Sequence, residues 1–231
     1  MKKIIGFIAV VALLISCNKN EQGNMVVKVN INGLKKGTLY LQKVKDTALV
    51  SVDSIQLDGK TDILLSDNVE SPEIYFLTLD KIAGERISFF GEKGEITVNA
   101  KLEKFATSAK ITGSVNQDLL AEHNAMAQKF NGKKLDLVVE KFNALKINDT
   151  ALASKLAKEE DGLIRRKYYY TTNFAVVNAA HEVAPYLALT ELFDANIRLL
   201  DTINNSLSKE VKASKYGKEL DKYITEIKKA P

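Results

Sequence analysis

Two histidines are the residues of this chain best suited to metal or acid–base chemistry, and neither stands in a catalytic pattern. His181 and Glu182 match the first two positions of the zinc-binding H-E-x-x-H motif, but Pro185 occupies the position of the second histidine. Proline supplies no ligand atom and disturbs the helix that this motif requires. His123 lies in an apolar stripe of helical spacing, which favours a partly buried core histidine. The sequence therefore predicts no metal ligand and no cofactor.

Nucleophilic and phosphate-binding chemistry also lack their usual motifs. There is no G-x-S-x-G elbow, and Gly91-Glu92-Lys93-Gly94 lacks the Lys-Ser/Thr ending of a phosphate-binding loop. This short segment is instead predicted to be a hairpin turn. The aspartates and glutamates are dispersed along the chain, so no carboxylate pair is evident. We expect a non-catalytic protein, with an enzyme of unfamiliar site as an alternative.

The most unusual local run is Arg165-Arg166-Lys167-Tyr168-Tyr169-Tyr170. Interleaved basic and aromatic residues can stack bases, hold a sugar or sit at a membrane interface. On a helix, however, three consecutive tyrosines point about 100° apart and cannot form one platform. We predict that Tyr170 joins the core and that the cations face solvent. The formal net charge of +4 is also too small to indicate a nucleic-acid partner.

Four segments share the form Asp-Ser/Thr-apolar. This form resembles an O-glycosylation site of some Gram-negative envelope systems. Caps and turns are the alternative interpretation, because Asp, Ser and Thr are common there. The four segments are Asp46-Thr47-Ala48, Asp53-Ser54-Ile55, Asp149-Thr150-Ala151 and Asp201-Thr202-Ile203.

The only cysteine of the chain, Cys17, closes an apolar run that follows a positively charged start. The run is too short to span a bilayer stably, and its pattern is typical of an export signal. The cysteine directly after Ser16 makes it resemble a bacterial lipoprotein signal. That resemblance implies cleavage after residues 1–16, lipidation of Cys17 and a membrane partner reached through the lipid anchor. Residues 17–24 then form a polar tether. By resemblance to common lipoprotein sorting rules, Asn18 after the cysteine favours the outer membrane, and the single acidic residue of 18–22 favours a protein that faces the periplasm.

Residues 25–113 alternate apolar and polar residues, with Gly, Asp and Asn at the turns. Val27, Val29 and Ile31 show this alternation, and Asp58-Gly59 is predicted to be a hairpin-type turn. A period of two indicates half-buried strands. About eight such segments predict an antiparallel β-sandwich domain.

Residues 114–231 change to helical spacing and predict a helical domain, so the fold class is α+β with a C-terminal helical bundle. Ser114 is a predicted N-cap, and either Asp149 or Thr150 caps a long third helix. Pro185 is expected to interrupt the helical pattern. The predicted stripes of the first three helices are Leu119, Leu120, His123, Met126, Ala127 and Phe130; Leu135, Val138, Val139, Phe142 and Leu145; and Leu152, Leu156, Leu163, Tyr170, Phe174 and Val177.

The sandwich half resembles an uncharacterised N-terminal β-domain family of Gram-negative envelope lipoproteins. The resemblance rests on short segments in a fixed order: Gly37-Thr38-Leu39-Tyr40-Leu41-Gln42, residues 52–59, residues 71–77, Phe89-Phe90, Ile96-Thr97-Val98 and residues 111–116. Proteins of this family usually continue into a thioredoxin-like, peroxiredoxin-type domain. This chain has no Cys-x-x-Cys and ends where that domain would begin, so the resemblance implies no redox residue here.

Three functions remain open from these observations. We expect a binding or scaffolding module of the envelope whose partner is a protein or a small ligand. The first alternative is an auxiliary subunit that recruits a separate thioredoxin-like protein. The second alternative is the enzyme of unfamiliar site.

Overall fold

The computed structural model describes residues 23–59, 62–82 and 84–229, so Cys17, the predicted site of lipidation, lies outside the described residues. Within these ranges the N-terminal half forms eight strands. They are β1 (Met25–Asn32), β2 (Lys36–Lys45), β3 (Ala48–Asp58), β4 (Ile63–Asp67), β5 (Glu73–Leu79), β6 (Ile87–Gly91), β7 (Gly94–Lys101) and β8 (Lys110–Thr112).

The strands form two four-stranded sheets in the orders β4-β1-β7-β8 and β3-β2-β5-β6. Alternate side chains, such as Val27 and Leu41, are fully buried between the sheets. The predicted α+β class, a β-sandwich followed by helices, is confirmed. The prediction that the sandwich is antiparallel is wrong for one pair, because β1 and β7 run parallel from Met25 opposite Gly94 to Asn32 opposite Lys101.

Two turns that were predicted as hairpins connect different sheets instead. Asp58-Gly59 follows β3, but the next strand, β4, pairs with β1. Gly91 ends β6 in one sheet, and Gly94 begins β7 in the other. The β2–β3 hairpin turns at Asp46-Thr47, where Asp46 has a φ of 56°. Turn residues mark where the chain bends, but long-range packing decides which strand the chain pairs with next.

Six helices follow over the described residues. They are α1 (Val115–Lys146), α2 (Thr150–Val177), α3 (Val183–Glu191), α4 (Ile197–Ser206), α5 (Lys209–Ala213) and α6 (Lys215–Lys229). The predicted caps form, because Ser114 accepts a hydrogen bond from the Gln117 N–H and Asp149 accepts one from the Leu152 N–H. Pro185 lies in the first turn of α3, where its missing N–H breaks no helical bond.

The first two predicted helices are one continuous helix of 32 residues, α1. Phe130 and Leu137 both pack into a cluster with α2, on either side of Gly132. This shared packing offsets the cost of Gly132, because a glycine in a helix interior is less favourable than an alanine by about 1 kcal/mol. Helices α1 and α2 therefore form a long antiparallel hairpin beside the sandwich.

Candidate functional site

The distal half of α1 exposes an apolar stripe that the sequence predicted to be part of a helical bundle. The spacing is helical, as predicted, but the side chains face solvent. Their exposed fractions are 63% for Leu135, 38% for Val138, 50% for Val139, 57% for Phe142 and 53% for Leu145. We call these five residues the α1 face.

The opposite side of the same helix holds the contacts with α2. Leu137 and Ala144 are buried there, together with Ala153, Leu156 and Leu163 of α2. At about 100° per residue, Leu137 and Ala144 lie roughly 180–200° around the helix from Leu135. The core cluster of this distal half contains side chains of α1 and α2 only. The α1 face therefore has no covering element within the described residues.

Charged side chains lie at the margins of the α1 face. The Lys146 ammonium sits 4.5 Å from the ring centroid of Phe142. Lys141 binds Glu160 of α2 on the other flank. This hydrogen bond, together with the charges of Lys141 and Lys134, lowers the pKa of Glu160. Lys141 is thus occupied within its own chain, whereas Lys146 is directed toward the face.

The second candidate region is concave and lies between the sandwich and the helices. We call it the junction cleft, and its volume is about 770 Å³. Its wall carries a charge network centred on Glu73, which is 9% exposed. Lys215 donates to Glu73 at 2.6 Å and to the Val44 carbonyl at 3.0 Å. Lys43 lies 3.5 Å from Glu73 and donates to Asp67 at 2.6 Å.

Tyr75 also belongs to this network, and its hydrogen bonds link Asp67 to Lys43. Its hydroxyl donates to Asp67 at 2.7 Å and accepts from Lys43 at 3.2 Å. Burial and the hydrogen bond to Asp67 raise the pKa of Tyr75. Burial alone would lower the pKa of Lys43, but the hydrogen bond to Asp67 and the charge of Glu73 raise it. Because two cations and two carboxylates satisfy each other, the network joins the sandwich to α6. The cleft is also lined by charged residues outside this network, namely Lys45, Asp46, Glu70 and Glu219.

Aromatic packing reinforces the same junction. The Ile74 N–H of β5 donates to the Tyr216 hydroxyl of α6 at 2.9 Å. Phe90 makes edge-to-face contacts with Tyr186 and Tyr216, with ring centroids 5.2 and 6.2 Å apart. One apolar cluster therefore includes strands and helices together.

A third region, at the start of α1, is polar and acidic. Asn116 donates to Glu92 at 2.7 Å and accepts from the Val183 N–H at 2.8 Å. Burial raises the pKa of Glu182, which also receives a weak contact from Asn116. Glu92 lies at the N-terminus of α1, where a negative charge is favourable. These groups cap and join helices, and no group of three potential metal ligands is found in the described part of the chain.

The two histidines are far from forming a common site. His123 is fully buried, which goes beyond the partly buried position that the sequence predicted. Its Nε2 lies 2.9 Å from the Thr171 hydroxyl, and its ring stacks on Tyr170. Its Nδ1 has no hydrogen-bond partner among the described residues. Burial lowers the pKa of His123. His181 lies just before α3, in the segment that connects it to α2.

The basic–aromatic run of α2 is divided between different surroundings. Arg165 and Arg166 are exposed, as predicted, but Lys167 is half-buried and pairs with Glu191 at 2.8 Å. Tyr170 packs with the cluster around Phe174, whereas Tyr169 is 58% exposed. Tyr168 packs on another cluster, and its hydroxyl donates to Asp194 at 2.8 Å. Burial raises the pKa of Tyr168 and of Tyr170. The three rings form no stacking surface.

Two of the four Asp-Ser/Thr segments, at Asp46 and Asp149, take the turn and cap positions of the alternative interpretation, whereas Asp53 lies within β3 and Asp201 within α4. Asp46 turns the β2–β3 hairpin, and Asp149 caps α2. Asp53 accepts hydrogen bonds from the N–H groups of Ser54 and Ser66 at 2.8 Å. The fourth segment lies within α4, where Asp201 binds Lys228 at 2.7 Å. Glycosylation of these segments stays a prediction.

The sequence pointed to the residues of the α1 face but not to their exposure. A signal was nevertheless present, because residues 135–145 carry apolar side chains on two opposite sides of one helix. One side packs on α2, so the other needs a second partner or stays exposed.

The sandwich is similar to one known protein family. Residues 25–120 match the family described as Domain of unknown function (DUF4369). The match runs from the first residue of β1 into the beginning of α1. It confirms the resemblance to an uncharacterised domain family, while the link to a thioredoxin-like domain stays a prediction. No curated protein and no solved structure was found to match the chain.

Within the described ranges, no helix is both long enough and apolar enough to span a bilayer.

Proposed function

We propose that this chain is a non-catalytic, lipid-anchored protein of the cell envelope that scaffolds proteins through the α1 face. The observation that carries the proposal is the exposure of five large apolar side chains on one side of a helix. With about 150–200 Å² for a fully exposed large side chain, their exposed fractions correspond to about 400–500 Å². Apolar patches of this size on soluble proteins are often functional interaction sites.

The predicted anchor at Cys17 supports a scaffold close to a membrane. Asn24 is already held by the sandwich, since it donates to the Val69 carbonyl at 3.0 Å and accepts from the Val69 N–H at 2.8 Å. Seven residue steps separate Cys17 from Asn24, and a fully extended tether of this length spans about 25 Å. Lipidation would therefore hold the fold within that distance of the bilayer, on the periplasmic side of the outer membrane.

The junction cleft is a weaker candidate for the binding site. Its volume suits a small ligand, but Lys43, Lys215, Glu73 and Asp67 neutralise one another along its wall. A charged ligand that bound any of these four groups would have to displace their ion pairs, whereas a protein that covers the α1 face displaces only water. The site supported best is therefore the α1 face.

The test is chemical crosslinking in intact cells that express the tagged full chain. Phe142→Lys places a charge in the middle of the α1 face, and Ser154→Lys, at an exposed position of α2, is the matched control. We expect a stoichiometric crosslinked protein with the parent and the control but not with Phe142→Lys. Equal recovery from all three would contradict the proposal. Circular dichroism must show the same helix content for both variants.

The same experiment addresses the anchor and the partner. With Cys17→Ala, we expect the chain to leave the membrane fraction. Recovery of a thioredoxin-like protein as the crosslinked partner would favour the auxiliary redox subunit over a general scaffold.

A further inference from the structure

We propose that the α1 face packs against the same face of a second copy of this chain, with the two α1 helices antiparallel about a two-fold axis near Glu140. The inference rests on the proposed function, because it names the occupant of the same surface. In a two-fold interface both chains contribute the same surface patch, so the assembly is complete with two chains.

The first argument is the area of the patch. A standard protein–protein interface buries about 800 Å² on each partner, of which about 56–65% is apolar. Each chain must then contribute about 450–520 Å² of apolar surface. The α1 face exposes about 400–500 Å² by the estimate above, so two copies supply nearly all of the apolar area that a stable dimer needs.

The second argument is the position of the patch along the helix. Leu135 and Leu145 are its two ends, and Glu140 lies midway between them in sequence. An antiparallel pairing centred there places Leu135 opposite Leu145 of the second copy and overlaps the two stripes along their full length. Because α2 packs on the opposite side of α1, around Leu137 and Ala144, it does not obstruct this approach.

The third argument is charge complementarity. Relative to Leu135, the helical rotation places Asp136 at about +100° and Lys146 at about +20°. Both therefore lie toward the same flank of the stripe, with Lys146 just inside its edge and Asp136 beyond it. In the antiparallel pairing this flank meets its counterpart, and each Asp136 approaches Lys146 of the second copy. In a parallel two-fold pairing this flank would instead meet the opposite flank, so Asp136 would not approach Lys146 of the second copy. Lys141, on the other flank, is already paired with Glu160 of its own chain.

The test is site-specific crosslinking of the full chain in intact cells. Leu135→Cys and Leu145→Cys are introduced into two copies that carry different tags, and a short bismaleimide is added. We expect a crosslink between the two differently tagged chains. Each variant alone should crosslink at least fivefold less, because identical positions lie about 15 Å apart along the helix axes.

The controls separate this signal from background. Cys17 is present in every chain, so the parent measures any crosslink through that thiol. Ser154→Cys, exposed on α2, measures random encounters between chains. Mass photometry of the full chain in detergent supplies a readout independent of cysteine chemistry, with a dimer expected for the parent and for Ser154→Lys and a monomer for Phe142→Lys.

The outcomes separate this inference from the proposed function. A monomeric parent without the mixed crosslink overturns the inference, and so do crosslinks that form mainly between identical positions. If the parent is monomeric but loses a different crosslinked protein on Phe142→Lys, the scaffolding function stands and the second copy is wrong. If Phe142→Lys changes neither the mass nor the crosslinked proteins, both fail.

Discussion

Replacement of Tyr216 by Phe tests how the helices are held on the sandwich. The Tyr216 hydroxyl accepts the Ile74 N–H at 2.9 Å, and the residue is 8% exposed. Phenylalanine keeps the ring contacts with Phe90 and Tyr186 but leaves the Ile74 N–H without its acceptor. An unsatisfied buried donor costs about 1–3 kcal/mol. The junction cleft borders Ile74 and admits water, which can partly replace the lost acceptor. We therefore expect a loss of about 1–2 kcal/mol in the free energy of unfolding, in the lower part of that range.

Urea denaturation followed by circular dichroism measures this loss, and a thermal scan should show a midpoint lower by about 2–8 °C. Tyr223→Phe is the matched control. Its hydroxyl donates to the Phe193 carbonyl at 2.6 Å in an exposed position, where water can replace it. The control should change stability by less than about 0.5 kcal/mol. If Tyr216→Phe and Tyr223→Phe unfold alike, the hydrogen bond does not hold the junction and the reasoning is refuted.

The same residue predicts a pH dependence at alkaline values. Burial raises the pKa of Tyr216 in the folded protein. The unfolded chain therefore loses the hydroxyl proton first, near pH 10, and the free energy of unfolding falls as the pH rises above that value. Tyr75, whose pKa is raised as well, contributes in the same direction. Stability measured between pH 8 and 11 should thus fall less steeply in Tyr216→Phe than in the parent.

Three further changes test individual elements. Ser114→Ala removes the cap that accepts the Gln117 N–H and should cost about 1 kcal/mol in urea denaturation; an unchanged midpoint would refute the cap. His123 has a lowered pKa, so its protonation in the unfolded chain should reduce stability as the pH falls below about 6.5, by at most about 2 kcal/mol at pH 5. His123→Gln should remove that part of the pH profile, and an identical profile would contradict it. Gly91→Ala places a methyl group against the Tyr75 ring and should lower the thermal midpoint, whereas Gly132→Ala, which meets open space, should not; equal midpoints would contradict this packing.

Features set by neighbouring residues could be predicted from the sequence. The alternation around Val27 predicts a strand because successive side chains of an extended chain point to opposite faces. The caps at Ser114 and Asp149 were predicted because a short polar side chain before a helical stripe satisfies a free N–H of the first turn. The two-part architecture follows from the change of period at Ser114.

Long-range packing decided what these patterns left open. The turns at Asp58-Gly59 and Gly91–Gly94 were predicted as hairpins, but each carries the chain between sheets, because sheet membership depends on partners far away in sequence. The residues of the α1 face were predicted as a helical stripe, yet periodicity only shows which side chains share a side of a helix. Which side is buried depends on where α2 packs, and that contact uses Leu137 and Ala144. The sequence by itself thus determined the strands, the helical half and the caps at Ser114 and Asp149. The tertiary structure decided that two predicted helices form one and that α1 exposes five apolar side chains, because only packing between residues distant in sequence determines which side of a helix is buried.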